Sequence, residues 1–377
     1  MKSSTGVYFL GLDHVRALAA FMVCAWHFTH ATNGYPVSFS YVPAIFPFAI
    51  LDEGHTGIAL FMTLSGYLFA RLLEGKSIDY KAFIWNRALR LLPLLFLVIV
   101  VVGIGKVSGG VSLTDYASSI AKGALFPFLP NGGWSITVEF HYYLILPLLI
   151  WMLAKSALWP LAVIVAAVSL RLFVYHERGE IQSLAYFTLL GRIDQFVLGM
   201  LLCQFRSYFS KRHAVALLTI AAFMLMYWYF DALGGFYQQP RHADIGSFWI
   251  ILPTIEGIAY GIVIAWYETS FAHPASGVSA FIGRLGEYSY SIYLLHFFVV
   301  FEAARFVNER IMDISNFYLA CLWSLVFFVI MVIPGYISFR LIENPFLKLR
   351  KRYIKEPRVS DASYVASQQQ VAVNRAP

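Results

Sequence analysis

The chain has 377 residues, of which 59% are hydrophobic and only 13% are charged, and its mean hydropathy is +0.66. Soluble globular domains carry about 25% charged residues, so this composition excludes an ordinary soluble domain and indicates that lipid surrounds most of the chain. The net charge of +7 does not indicate nucleic-acid binding, because Lys and Arg lie in separate loops rather than on one aromatic-rich segment.

Ten apolar windows have about the 20-residue length that spans a bilayer. They are 15–31, 54–73, 91–107, 134–153, 157–174, 186–205, 213–230, 247–267, 287–303 and 318–341. We therefore expect an all-α polytopic membrane bundle of about ten helices, formed as one domain by residues 1–348. The first window contains Arg16 and His27 and lacks a small-residue cleavage site, which favours a retained span over a signal peptide.

Basic residues follow the second and sixth windows and the last one. They are Arg71, Lys76, Lys81, Arg87 and Arg90, then Arg206, Lys211 and Arg212, then Lys348, Arg350, Lys351 and Arg352. The positive-inside rule places these segments and both termini in the cytoplasm. It places the weakly charged segments 32–53 and 231–246 on the outer side of the membrane; the second of these contains Arg241 and Asp244. Segment 106–133 fits either an outer loop or a surface or re-entrant helix. Residues 349–377 are expected to form a basic and then disordered cytoplasmic tail.

The three cysteines, Cys24, Cys203 and Cys321, lie inside apolar windows. Buried, widely spaced thiols of this kind indicate packing residues rather than a disulfide or zinc framework, so no metal site is expected.

The first window combines Arg16 and His27, which are eleven residues and about 16 Å apart on one helix face. A charged residue at membrane depth needs a partner, a wet cavity or a function. An imidazole titrates near neutrality and can accept a proton from a hydroxyl nucleophile, so His27 is a candidate general base. The alternative is a histidine hydrogen-bonded within the bundle.

The next two motifs have structural and functional interpretations. Ser65 and Gly66 allow close approach of a helix or a ligand, and helix packing is the simpler account. Arg87 and Arg90 share a face at the predicted cytoplasmic boundary, where two guanidinium groups could bind the phosphates of a donor such as coenzyme A. Ordinary positive-inside anchoring would look the same.

The segment GGWSITVEFHYYLILP places Glu139 and His141 in an apolar window behind a Gly-Gly turn. A buried carboxylate there could orient an imidazole, or it could pair structurally with an intramembrane arginine such as Arg192. Glu256 and His296 raise the same question. A structural role is favoured for Glu256, and the role of His296 stays open.

Seven motifs in order resemble the acyltransferase-3 family of integral membrane O-acyltransferases. They are LDHVRALAAFMVCAWH, GIALFMTLSGYL, RALRLLP, GGWSITVEFHYYLILP, GRIDQFVLGML, LGEYSYSIYLLH and SFRLIENPF, covering residues 10–348. The resemblance implies that Arg16 and His27 match the family's first-helix pair, and that Arg87 and Arg90 match its Arg-x-x-Arg. It also implies that Ser65 and Gly66 match the family's serine-glycine pair. Trp134, Ser135 and Glu139 match the tryptophan, serine and glutamate of its fourth motif.

The family resemblance implies a function as well. Its members acylate lipopolysaccharide, exopolysaccharide, Nod factors, peptidoglycan and some antibiotics, usually from acetyl-coenzyme A. We therefore expect an O-acetyltransferase of the bacterial inner membrane, with an acyl-CoA donor, a carbohydrate acceptor such as lipopolysaccharide O-antigen, lipid contacts and a possible homo-oligomer. His27, Arg16 and Glu139 would be catalytic, and Arg87, Arg90, Ser65, Gly66, Trp134 and Ser135 would bind the donor.

Two departures and several alternatives accompany this resemblance. The fourth motif continues with Phe140, His141, Tyr142 and Tyr143 instead of a polar residue and Phe-Tyr, and only a short tail follows the last helix, where many members carry an esterase-like domain. The alternatives are a small-molecule or Nod-factor-like acceptor, a lipid-linked sugar transporter or flippase, and a silent scaffold or sensor. Acetyl rather than succinyl transfer is expected only from the family.

Overall fold

A computed structural model describes residues 8–239 and 245–355 of the chain. Arg241, Asp244 and the tail from residue 356 onward, on which some sequence predictions depend, lie outside the described residues. Nine helices of 14 or more residues account for most of the described chain. They are α1 Leu10–Thr29, α3 Gly57–Leu73, α4 Tyr80–Ser108, α6 Trp134–Lys155, α7 Leu158–Arg178, α9 Leu189–Gln204, α11 His213–Ala232, α13 Leu252–Ser270 and α17 Phe317–Ile330.

Shorter elements connect or extend these helices. The short α-helices are α2 Ala49–Asp52, α5 Leu113–Gly123, α8 Gln182–Phe187, α10 Arg206–Phe209, α12 Ile245–Phe248, α14 Gly277–Glu287, α15 Ser289–Leu295, α16 Val300–Phe306, α18 Val332–Ser338 and α19 Asn344–Leu347. Single 3₁₀ turns are Phe46–Phe48, Gly54–Thr56 and His296–Phe298, and π-helical turns are Val307–Ile311 and Phe339–Glu343. Two short strands, β1 Ser77–Ile78 and β2 Ile354–Lys355, pair antiparallel.

The long apolar helices confirm an all-α membrane bundle. Six helices in the described ranges are long and apolar enough to cross a bilayer, or seven if a bent pair is one span. They are Gly54–Leu73, Tyr80–Ser108, Trp134–Lys155, Leu158–Arg178, His213–Ala232 and Phe317–Leu347, with Ser289–Phe298 and Val300–Ile311 as the bent pair. The count of ten spans and the cytoplasmic termini stay predictions.

The centre of the bundle is the crossing of α3 and α9. A Cβ atom added at Gly66 would lie 1.9 Å from the Phe196 carbonyl oxygen, and one at Gly199 would lie 2.0 Å from that of Thr63. Only glycine therefore permits the two backbones to meet at both positions. Helix α1 packs beside this pair, and its residues are largely buried.

Both described ends of the chain lie on one face of the bundle. The Arg71 guanidinium, at the end of α3, lies 5.3 Å from the ring centroid of Phe9, which precedes α1. Strand β2 at the other end pairs with β1, which lies between α3 and α4. The start of α1, the connection from α3 to α4 and residues 354–355 are consequently neighbours.

Candidate active site

A cavity of about 270 Å³ lies between α1, α3, α4, α6, α15 and residues 350–353. It follows α3 from Leu72, on the face that carries both chain ends, to Ile58. These two residues are 14 positions apart, which corresponds to about 21 Å along a helix. The cavity is therefore deep enough to lead a ligand from one face of the protein far into the bundle.

Six of the nine predicted site residues line this cavity. They are Arg16 on α1, Ser65 on α3, Arg87 and Arg90 on α4, and Ser135 and Glu139 on α6. Residues from four helices thus share one space, although in the sequence they span more than a hundred positions. His27, Gly66 and Trp134 do not line it.

The two α4 arginines have different surroundings. The Arg90 Nη1 atom lies 3.1 Å from the Glu343 carboxylate, and Nη2 donates to the Glu287 carbonyl at 3.4 Å. The Arg87 guanidinium instead lies over the rings of Phe69 and Phe83, at 5.3 and 5.6 Å from their centroids. The guanidinium also hydrogen-bonds the Tyr143 side chain, whereas its buried Nε has no hydrogen-bond partner in the described part of the chain. A buried donor without an acceptor is costly, so Arg87 is suited to bind an anion entering the cavity.

Glu139 is part of the cavity wall rather than a partner of a histidine. Its carboxylate accepts hydrogen bonds from the Ser65 hydroxyl, at 3.3 Å, and from the Tyr143 hydroxyl. Arg192 does not pair with it, because its guanidinium donates to the Gln195 side chain at 3.0 Å and to the Tyr186 carbonyl. Glu139 thus supplies negative charge near the cavity arginines.

Arg16 forms an ion pair with Asp13, one turn earlier on α1. Both residues line the cavity, and Arg16 is only partly buried. The pair therefore places one acidic and one basic side chain at the cavity wall without contact to His27.

His27 forms a histidine pair with His296, which follows α15. The Nε2 atom of His296 lies 3.2 Å from Nδ1 of His27. Each Nδ1 also faces a carbonyl oxygen, that of Val23 at 3.0 Å for His27 and that of Tyr293 at 2.6 Å for His296. A carbonyl only accepts, so both neutral rings carry their proton on Nδ1. The His27 Nδ1–H therefore also points to the His296 Nε2 lone pair, and His27 Nε2 keeps its own lone pair for a proton.

The histidine pair lies beside one residue of the cavity wall, because the His296 ring centroid is 6.0 Å from that of Tyr293. Tyr293, one turn before His296, lines the cavity, and its hydroxyl accepts from Ser135 Oγ at 3.0 Å. Phe61 also lines the cavity, with its ring 6.2 Å from that of Tyr293. His27 itself is not among the residues that line the cavity. It packs on Phe297, at 4.5 Å between ring centroids.

The remaining two predicted residues lie in packing positions. Gly66 is at the crossing of α3 and α9, and its missing side chain makes room for the backbone of α9. Trp134 packs against the rings of Tyr186 and Phe187 and has the Arg192 guanidinium 5.8 Å from its ring centroid. Gly66 thus allows the close helix packing that the sequence had favoured, and its role in donor binding stays a prediction.

Sequence reasoning missed several cavity residues. Tyr143 and Tyr293 lie in apolar windows, where a tyrosine that faces a cavity has the same pattern as one that faces a neighbouring helix. Arg350 and Tyr353 lie in a segment assigned to a tail, yet both line the cavity. The spacing of Tyr143 and Tyr293 within their windows therefore did not show that they face a cavity. His296 had been noted in the sequence, but without an assigned role.

The sequence profile of the acyltransferase domain family Acyl_transf_3 matches residues 9–338 of this chain. The chain is 24% identical to a putative O-acetyltransferase of Staphylococcus aureus strain COL, over 394 residues that cover 90% of this chain and 58% of that protein. It is also 24% identical to the O-acetyltransferase OatA of Staphylococcus aureus strain NCTC 8325, over 389 residues covering 90% of this chain and 57% of OatA. The chain thus spans less than two thirds of these relatives. No solved structure matches it.

Proposed function

The chain belongs to the acyltransferase-3 family, and from this premise we propose that it is an O-acetyltransferase of the bacterial cytoplasmic membrane. It moves an acetyl group from acetyl-coenzyme A to a hydroxyl of a cell-surface or exported carbohydrate, such as lipopolysaccharide O-antigen or exopolysaccharide. The acyltransferase class follows from the family. The donor, the acceptor, the membrane and the roles of individual residues are the proposal.

The observation that carries the proposal is the cavity shared by the predicted residues. Arg87 and Arg90 line it together with an apolar wall that follows α3 to Ile58. A nucleotide-containing thioester has the matching chemistry, because its phosphates suit guanidinium groups and its acyl arm is long and narrow. The donor would bind with its phosphates at the arginines and its acyl end toward Ser135 and Tyr293.

His27 is the proposed general base. Its Nε2 lone pair would accept the proton of the acceptor hydroxyl as the hydroxyl oxygen attacks the thioester carbonyl carbon. The carbon–sulfur bond then breaks, and the protonated imidazole returns its proton to the departing thiolate. The acceptor ester and free coenzyme A are the products, so atoms and charge balance without another reactant.

Arg16 and Glu139 are proposed to act on the donor rather than on His27. Both line the cavity, and neither is hydrogen-bonded to the histidine pair. They would orient the donor so that its acyl group faces His27, and orientation of this kind contributes strongly to rate. His27 does not line the cavity, so donor binding is expected to displace side chains between the cavity and His27.

The proposal is tested by mass spectrometry of surface polysaccharides from cells that express the wild-type chain, His27→Ala or no chain. We expect a mass increment of one acetyl group only with the wild type. His176→Ala, which removes an exposed histidine at the end of α7, is the matched control and should retain the increment at equal membrane levels. If the wild type gives no mass increment, surface polysaccharide is not the acceptor. The acceptor would then be a small molecule, or the protein would be a transporter rather than a transferase.

A further inference from the structure

Residues 349–355, which we call the C-terminal strap, are fixed to the beginning of α4. The Asn86 side chain donates to the Lys351 carbonyl at 2.6 Å and accepts from its backbone N–H at 2.9 Å. The Asp79 N–H donates to the Tyr353 carbonyl at 2.7 Å, and β2 pairs with β1. Hydrogen bonds between the strap backbone and the Asn86 side chain, the Asp79 N–H and the β1 backbone therefore hold the strap in register beside the cavity.

The side chains of the strap divide into an inward and an outward set. Tyr353 is buried and packs on Phe83, with 5.5 Å between ring centroids, whereas Lys351 and Arg352 are exposed. Arg350 is partly buried, and both Arg350 and Tyr353 line the cavity. One of the four basic residues in the strap is thus directed away from solvent.

Arg350 joins two other arginines at the same end of the cavity. Burial, and then the charges of Arg90 and Arg87, lower the pKa of Arg350. Its Nε is anchored on the Leu347 carbonyl at 2.9 Å, so the side chain has a defined place. Three guanidinium groups that repel each other across one cavity create a site that favours a multiply charged anion.

Three carboxylates line the cavity, those of Asp13, Glu139 and Glu287. Asp13 pairs with Arg16, and Glu139 accepts from Ser65 and Tyr143, while Glu343 beside the cavity pairs with Arg90. A planar guanidinium binds a phosphate through two parallel hydrogen bonds, so a nucleotide with several phosphates suits this arrangement.

We propose that Arg350 of the C-terminal strap binds a phosphate of the acyl donor together with Arg87 and Arg90, so that the strap forms one wall of the donor site. The inference rests on the proposed function, since it assumes a nucleotide-containing donor. Residue 350 lies beyond the residues that the family profile matches. The strap therefore adds a donor contact that the family motifs do not include.

The test is the affinity of the purified full-length protein, in detergent, for coenzyme A. We expect Arg350→Gln to weaken binding by about tenfold or more, the usual consequence of losing a charge-assisted hydrogen bond. Arg352→Gln removes the same charge from an exposed position in the strap and should change affinity less than twofold. Arg350→Lys keeps the charge without the planar fork and should give an intermediate loss, and it serves if Arg350→Gln does not fold.

Dephospho-coenzyme A, which lacks the 3′-phosphate, identifies the phosphate concerned. If Arg350 binds the 3′-phosphate, the Arg350→Gln loss disappears with this ligand, and if it binds the pyrophosphate, the loss persists. Equal coenzyme A affinity for Arg350→Gln and Arg352→Gln, with tight wild-type binding, overturns the role of Arg350 and leaves the proposed function intact. Failure of the wild-type protein to bind coenzyme A overturns the proposed donor and this inference together.

Discussion

At the residue scale, buried polar side chains divide into those with complete hydrogen bonding and those without. Glu256 accepts hydrogen bonds from Thr56 and Tyr227 hydroxyls, both at 2.6 Å, and from the Gln195 amide at 2.8 Å. A carboxylate with three donors is satisfied within the protein, which supports the structural role favoured from the sequence. The Arg87 Nε atom, by contrast, lacks a hydrogen-bond partner among the residues described, which supports the proposed role of Arg87 in binding an anion.

The histidine pair leads to a prediction about rate. His296→Phe removes one of the two acceptors that face the His27 Nδ1–H and keeps an aromatic ring beside Phe297. Since the Val23 carbonyl still holds His27, we expect the maximal rate of acyl transfer to fall by about tenfold with unchanged donor KM, against at least a hundredfold for His27→Ala. Initial rates in isolated membranes over a range of labelled acetyl-coenzyme A concentrations measure both quantities.

A conservative variant separates this orienting role from packing. Gln at position 296 can still offer an oxygen to His27, so His296→Gln should retain more activity than His296→Phe at the same membrane level. A rise in donor KM with normal maximal rate would instead place His296 in donor binding.

A second residue-scale prediction concerns the buried ion pair between Arg171 and Asp194. Both side chains are fully buried, 2.7 Å apart, and Arg171 also donates to the Gly191 and Ile250 carbonyls. Removing either partner leaves an unpaired charge, so Asp194→Asn and Arg171→Gln should each cost about 3–5 kcal/mol of stability. Unfolding in detergent measures this loss.

The double variant provides the decisive comparison for this pair. Arg171→Gln combined with Asp194→Asn leaves no lone charge and should cost clearly less than the two single changes added together. Arg178→Gln, at the exposed end of α7, the helix that also carries Arg171, should have almost no effect on stability. Additive single effects would show that the two charges do not stabilise each other.

At the element scale, the close crossing of α3 and α9 positions the cavity. Ser65 faces the cavity and donates to Glu139, while its neighbour Gly66 faces the backbone of α9. The adjacent positions thus serve two purposes, one toward the ligand space and one toward the partner helix. A shift of α9 away from α3 would move Ser65 and loosen the cavity wall.

This geometry predicts that Gly66→Ala is strongly destabilising. Its Cβ would lie 1.9 Å from the Phe196 carbonyl oxygen, so the helices must separate, at a cost of about 1–3 kcal/mol or more. A lower thermal midpoint in detergent is the expected result. Gly105→Ala on α4 is the control, because nothing lies within 4 Å of its added Cβ. An unchanged midpoint with weaker coenzyme A binding would instead make Gly66 a donor contact.

At the scale of the whole molecule, apolar windows predicted the helices well because lipid selects for long apolar runs. The window 134–153 corresponds to Trp134–Lys155, and 213–230 to His213–Ala232. Helix α4 was predicted to begin at 91 and begins at Tyr80, because Lys81, Arg87 and Arg90 lower the local hydropathy although the backbone is helical. A hydropathy window therefore places the start of a helix too late where the first turns of the helix carry charged residues.

The breaks in the bundle could not be predicted in the same way. The window 287–303 is bent by 63° between Ser289–Phe298 and Val300–Ile311, and the undecided segment 106–133 contains the exposed helix α5. Neither the bend nor the surface position follows from hydropathy, because both depend on what packs alongside. The same limit explains why the motifs indicated Arg87 and Arg90 but not the strap residue Arg350, which reaches the cavity only through tertiary contacts.

The last prediction concerns the orientation of the bundle. Phe9, the connection from α3 to α4 and strand β2 share one face of the protein, and the basic residues Lys76, Lys351 and Arg352 lie at that face. The positive-inside rule therefore predicts that this face, and with it the cavity entrance at the arginines, lies in the cytoplasm, the side from which the proposed acetyl-coenzyme A donor would enter. Because both described ends share this face, we also expect the described chain to cross the membrane an even number of times.

Cysteine labelling tests the orientation directly. Ser40, Lys76 and Arg352 are exposed, and each is replaced singly by cysteine in a chain whose native cysteines are buried. A membrane-impermeant maleimide applied to intact spheroplasts should label Ser40→Cys, and it should label Lys76→Cys and Arg352→Cys only after permeabilisation. Labelling of Lys76→Cys from outside would reverse the bundle. Labelling of Lys76→Cys and Arg352→Cys from opposite sides would contradict the strand pairing, and with it the place of Arg350 in the donor site.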